Sequence, residues 1–151
     1  VYRQYKILRE NSWVVLISCL AGMISGLVTI IGLALILMMS EITTLSTLAR
    51  SITMAIALDT TELIGGVAGI IVAGIIFAGI FGTVVSSLIF RIFRIEEPIA
   101  KGLALGAASH AMGTAESLKA SELQGAMSSL AMVVSGVVMV GLIPLAALFV
   151  Q

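Results

Sequence analysis

The 151 residues are 60% hydrophobic and only 11% charged, with eight basic and eight acidic side chains and a formal net charge of zero. Soluble domains sit near about 45–50% apolar and about 25% charged, and a chain of this size cannot hide such an excess in one core, so lipid must be part of its solvent. The neutral balance excludes a nucleic-acid-binding field and an acidic tail, and a single cysteine, Cys19, excludes an intrachain disulfide or a multi-cysteine metal site.

In chain order, the first element is a basic amphipathic stretch carrying Arg3, Lys6 and Arg9, without the apolar core and cleavage site of a signal peptide. It starts as if in mid-protein, which leads us to expect a fragment or processed form. Residues 13–39 form the first charge-free run long enough to cross a bilayer, which takes about 20 apolar residues. Cys19 lies within it and reads as a small buried hydrophobe. Residues 63–90 and 126–150 form two more such runs. Glycines stud all three, with Gly22/Gly26 and Gly65/Gly69 spaced four apart, a spacing that lets helices approach closely in lipid. Pro144 is expected to kink the last of them.

Between the spans lie two segments too short or too polar to be ordinary crossings, 41–62 and 98–122. Both are rich in small and hydroxylated residues, the composition of backbone that breaks its helix inside protein. They echo each other: Ser51, Met54 and Ala57 align at one constant offset with Ser109, Met112 and Ala115. Further on, Glu62-Leu63-x-Gly65 matches Glu122-Leu123-x-Gly125, each leading into a long span. Many carriers are built from inverted halves with broken helices at the centre, and a possible inverted repeat is read here. Charge placement tests the idea. Arg3, Lys6 and Arg9 put the start of the first span in the cytoplasm, and Arg91, Arg94 and Lys101 belong there too. Both conditions hold when segment 41–62 enters and returns on one side. Segment 98–122 then dips from the opposite face, and Gln151 ends outside. The alternative is a different orientation set by an upstream part, with both segments as short tilted crossings. The fold class is thus all-α, a polytopic membrane protein with three long transmembrane helices and two broken or re-entrant helical segments, organised as a single membrane domain over 1–151.

His110 is the only histidine. Ionisable groups at membrane depth are costly and usually face a cavity or a partner. Flanked by Ser109, Gly113 and Thr114, it has the makings of a site: neutral, it donates and accepts one hydrogen bond each, and charged, it balances a carboxylate or carries a coupled proton. Gly102, Gly106 and Gly113 are the candidate helix-break positions, since glycine permits backbone that exposes N–H groups to an anion. In the other segment Arg50 offers a planar fork suited to carboxylate, with Ser51 and Thr53 beside it; its alternative role is snorkelling to the headgroups. Asp59, Glu62, Glu116, Lys119 and Glu122 read as solvated loop or helix-end groups, and Glu96-Glu97-Pro98 as a turn opening a helix. There is no nucleophile–base–acid set, no phosphate-cradling glycine loop and no metal-ligand spacing, so neither an enzyme nor a cofactor is expected. Ser109 and His110 are sequence neighbours, which point apart on a helix.

Four stretches carry a resemblance to the LrgB/CidB family, which includes the plastidial glycolate/glycerate translocator. They are Tyr2-Arg3-Gln4, Lys101-Gly102-Leu103-Ala104-Leu105-Gly106, His110-Ala111-Met112-Gly113-Thr114-Ala115 and Gly125-Ala126-Met127-Ser128-Ser129-Leu130-Ala131-Met132. The resemblance covers essentially the whole chain and implies that it corresponds to roughly the C-terminal two thirds of a family member. One departure stands out. Where such proteins carry a Lys-Ser-Val-Thr-Thr-Pro-Ile-Ala type of motif, this chain reads Arg50-Ser51-Ile52-Thr53-Met54-Ala55-Ile56-Ala57, without the helix-breaking proline and one hydroxyl. That change weakens the expectation of a break at Ala55. The resemblance implies a multi-pass protein of the cell (inner) membrane, a homo-oligomer working with a smaller LrgA-type membrane partner. Two functions come with it: a carrier of small organic acids such as glycolate, glycerate or pyruvate, and an antiholin-like regulator of murein hydrolase export and cell lysis. The buried His, the Arg and the matched broken segments favour the carrier, with Arg50, Ser51, Thr53, Ser109, His110, Gly113 and Thr114 as its substrate-binding residues.

Overall fold

The computed structural model describes residues 12–148 and 150; the basic stretch with Arg3, Lys6 and Arg9 lies outside the described residues. Helix α1 spans Ser12–Ile36, α2 Glu41–Leu48, a 3-10 turn Ala49–Ser51, α3 Met54–Leu63, α4 Ala68–Ile92, α5 Pro98–Ala120 and α6 Glu122–Ala147. Among the described residues there is no strand. Helices α1, α4 and α6 are the ones long and apolar enough to span a membrane. At about 1.5 Å per residue their 25, 25 and 26 residues exceed the roughly 30 Å hydrocarbon core.

Each spanning helix hides only a stripe. In α1 that stripe is Val15, Cys19, Met23, Leu27, Ile30 and Ala34, one residue per turn. The remaining face leaves Trp13, Leu35 and other large apolar groups exposed, an arrangement stable only in lipid or under further protein. Helix α4 buries just Ile71 and Gly79 and turns the stacked rings of Phe77 and Phe81 outward, centroids 5.6 Å apart. Helix α6 is the centre of the bundle, with Met127, Ser128, Ala131, Ser135, Met139 and Ile143 fully buried. It begins four residues before the predicted apolar run because Ser121 caps it, its Oγ accepting from Gln124 N at 3.1 Å, and Glu122 suits the first turn. It runs through Pro144 to Ala147. Helix α4 starts later than the predicted run because Gly65, at φ 82°, and Gly66 first end α3. The same C-terminal wrap closes α1 at Met38 and α4 at Arg94, both in the left-handed region, with Met39 N and Ile95 N reaching back to Ala34 O and Phe90 O at 2.9 Å.

The two segments between the spans both reverse direction. In α5 the backbone of His110 sits at φ 46°, ψ −121°, and the chain folds back there. Lys101 and Ala120 consequently line one cavity, although a straight helix would hold them about 28 Å apart. Gly106 and Thr114, on opposite arms, both meet Ser128 of α6. The first segment is built differently. Ile52 (φ −135°, ψ 174°) and Thr53 (φ −65°, ψ 147°) form a short extended link between the 3-10 turn and α3. The chain then returns until Val67 N donates to Ser46 Oγ at 2.7 Å, tying the exit of the segment to its entry. Ile52 and His110 occupy equivalent places in the alignment of Ser51 with Ser109, so both segments break at matching residues.

One expectation is corrected here. The break in α5 lies at His110, and Gly102, Gly106 and Gly113 are not the break positions. These glycines instead allow close packing: a Cβ on Gly102 would meet Gln124 O, on Gly106 Ser128 O, and on Gly113 Leu105 O. In the first segment the helix breaks without a proline, at Ile52 and Thr53, and Ala55 lies inside α3, in keeping with the weakened expectation of a break there.

Candidate functional site

Four hydroxyls of segment 41–62, those of Thr44, Ser46, Thr47 and Thr60, bond to their own backbone. Thr44 and Ser46 donate to Ser40 O and Ile42 O at 3.1 and 2.6 Å, and Thr60 to Ile56 O at 2.7 Å, which satisfies them in a water-free surrounding. Against that background the unpartnered groups stand out. Ser109 Oγ and both ring nitrogens of His110 are buried without a hydrogen-bond partner, and His110 is 6% exposed. Leaving a buried polar atom unpaired costs on the order of 1–3 kcal/mol. The His110 backbone adds strain, since a side-chain-bearing residue at positive φ with this ψ costs about 1–3 kcal/mol. Orphaned nitrogens and backbone strain thus coincide at one residue.

His110 faces a cavity of about 140 Å³ lined from one side by Ile52, Thr53 and Met54 and from the other by Ala108, Ser109, His110 and Met112, with Gly79 of α4 closing it. The two breaks therefore look into the same space. It is small beside the roughly 300–1,000 Å³ of drug-sized sites. Helix α3 begins at its rim with no side chain capping it, so the N–H groups of its first turn point into this region with the positive end of the helix dipole. Ala108 also borders a second cavity of about 380 Å³, where Arg50 and Ser51 face Gly22 and Gly26 of α1 and the alanines of the first arm of α5. Arg50 is near enough to act electrostatically on His110.

The structure thus brings Thr53, Ser109 and His110 to one cavity and Arg50 and Ser51 to its neighbour. Gly113 and Thr114 belong to packing: Thr114 Oγ1 and Ser128 Oγ share a buried hydrogen bond of 2.9 Å that ties the returning arm to α6. Thr114→Val should lower thermal stability by about 1 kcal/mol, read from melting in detergent. The residues missed from sequence are those that shape the space without polar chemistry, chiefly Ile52, Met112 and Gly79. Gly22 and Gly26 were visible as a packing pair, and here they line the cavity that Arg50 and Ser51 also line, a Cβ on Gly26 coming to 3.5 Å from Ser51 Oγ. Asp59, Glu62, Glu116 and Glu122 are exposed, and Glu116 pairs with Lys119 at 3.0 Å. Among the described residues no three His, Cys, Asp or Glu converge on a point where a metal ion would fit.

Comparison with known proteins adds the following. A family model described as the LrgB-like family matches residues 1–149. "Antiholin-like protein LrgB" of Bacillus mycoides (strain KBAB4) is 36% identical over 145 residues, covering 96% of this chain and 63% of that protein. The proteins of the same name from Bacillus cereus (strain B4264) and Bacillus anthracis (strain CDC 684 / NRRL 3495) are 35% identical with the same coverage. The chain spans 63% of the length of these curated relatives. No solved structure matches it.

Proposed function

The chain belongs to the LrgB-like family of multi-pass membrane proteins, and on that premise we propose that it forms the substrate-binding part of a secondary carrier for small monocarboxylates of the glycolate, glycerate or pyruvate type. The observation that carries the reading is the meeting of two helix breaks at one small, largely apolar cavity, with His110, both of its ring nitrogens unpartnered, in the wall and Arg50 lining the neighbouring cavity. An anion there gains the helix-terminal N–H groups of α3, a hydrogen bond from His110 and the guanidinium of Arg50, while Ser109 and Thr53 orient a hydroxy or keto oxygen. The segments 41–62 and 98–122 act as re-entrant hairpins from opposite faces, and one swings against the other to alternate access. His110 is the group suited to carry a coupled proton. The working unit is a homo-oligomer in the cell (inner) membrane with a smaller LrgA-type partner.

The test is counterflow of labelled glycolate and pyruvate in proteoliposomes holding the full-length protein and its partner. Saturable exchange is expected, and Arg50→Gln should lower it at least about tenfold, since loss of a charge-assisted contact is worth roughly 1.5–3 kcal/mol. Absence of saturable exchange would sink the carrier. A second reading, an antiholin-like regulator of murein hydrolase export and lysis, is favoured by the name its relatives carry. It predicts altered autolysin release in cells with no saturable flux in vesicles.

A further inference from the structure

Away from the helix breaks, a second and chemically different space opens where α4 ends and both arms of α5 meet α6. It is a cavity of about 460 Å³ with Arg91, Arg94 and Lys101 on its lining. Glu96 and Glu116 share that lining, but Glu116 is engaged by Lys119 at 3.0 Å, so the three cations face a single carboxylate without an ion pair among the described residues. The space does not stop at this polar mouth. Ser86, Phe90 and Leu105 line both this cavity and an apolar groove of about 280 Å³ that runs between α4 and the first arm of α5, past Val85 and Phe81, to Ser109. Lys101 Nζ stands 6.0 Å from the centre of the Phe90 ring, at the junction of the two.

A soluble anion would fill the mouth and leave the groove open; an apolar helix would fill the groove and leave the cations unanswered. A phosphate carrying acyl chains answers both parts. We propose that this site binds an anionic phospholipid, with the phosphate held by Arg91, Arg94 and Lys101 and an acyl chain lying along the groove toward Ser109. The flank of α4 beside the groove already presents its apolar side chains outward, Phe81 and Val84 being more than half exposed, as a lipid-facing helix does. A chain in the groove would pack against the tip of the α5 hairpin, so that the lipid also holds the hairpin in place.

The experiment is native mass spectrometry of the full chain in neutral detergent with added phosphatidylglycerol or phosphatidylcholine. Preferential retention of phosphatidylglycerol is expected. Arg94→Gly should cut it about fivefold, the effect of removing one headgroup-facing cation. This substitution cannot act by misfolding the cap, because Arg94 occupies the left-handed region, at φ 51°, where glycine is the easier residue. Arg94→Lys should retain the lipid. Val85→Trp, which fills the groove and leaves all three cations, should also reduce retention. Equal retention of the two lipids, unchanged retention in a chain carrying Arg91→Gln, Arg94→Gly and Lys101→Gln, or complete displacement of the lipid by equimolar glycerol phosphate would overturn the proposal.

Discussion

Gly106→Ala is expected to lift the α5 hairpin from α6 and to cost about 3 kcal/mol, read as a lowered melting temperature in detergent. The added Cβ would overlap the carbonyl oxygen of Ser128 and lie 2.8 Å from both its carbonyl carbon and its Cα. All three atoms are backbone of a buried helix, so no side-chain rotation relieves the clash. Gly102 stands one turn earlier against Gln124 O, so the two glycines seat one helix on the other at successive turns. Gly74 gives the control. A Cβ there meets nothing within 4 Å, and Gly74→Ala should be neutral or stabilising by about 0.5–1 kcal/mol through helix propensity alone. Equal effects at the two glycines would mean that the hairpin does not pack as described.

His110→Gly should separate stability from function. At φ 46°, ψ −121° glycine is the less strained residue, so the glycine variant should be more stable than His110→Ala by about 1–2 kcal/mol. Both variants remove two buried unpartnered nitrogens and leave a void, so the difference between them isolates the backbone term. Carboxylate exchange should fall to background in both. Full exchange by either variant would exclude His110 from the site.

The architecture was largely legible because its determinants are coarse. Charge-free runs of helical length announce the spans, and the placement of Arg91, Arg94 and Lys101 pointed to segments that turn back. The breaking residues were another matter. Glycine is the usual signal for positive φ, and Gly102, Gly106 and Gly113 were reasonable places to expect it. Here the left-handed residue is a histidine, which leaves no mark of its own in a sequence, while those glycines serve close approach to Gln124, Ser128 and Leu105. Likewise the hydroxyl of Thr114 could not be assigned from sequence between substrate and structure. Its partner Ser128 lies fourteen residues away on the next helix, and only the hairpin brings them together. The echo between Ser51-Ile52 and Ser109-His110 was faint as a sequence match, yet the two reversals fall on those aligned positions.

The central claim is that the two breaks enclose one carboxylate site. It is tested by substituting Thr53→Cys or Ala111→Cys in a Cys19→Ser background of the full-length protein and following modification by a small water-soluble maleimide in vesicles. Glycolate or pyruvate should slow labelling at both positions in parallel, with one apparent affinity, and should leave a cysteine at Asp59 unaffected. Labelling that is insensitive to these acids at either break, or protection at one break only, would contradict the account.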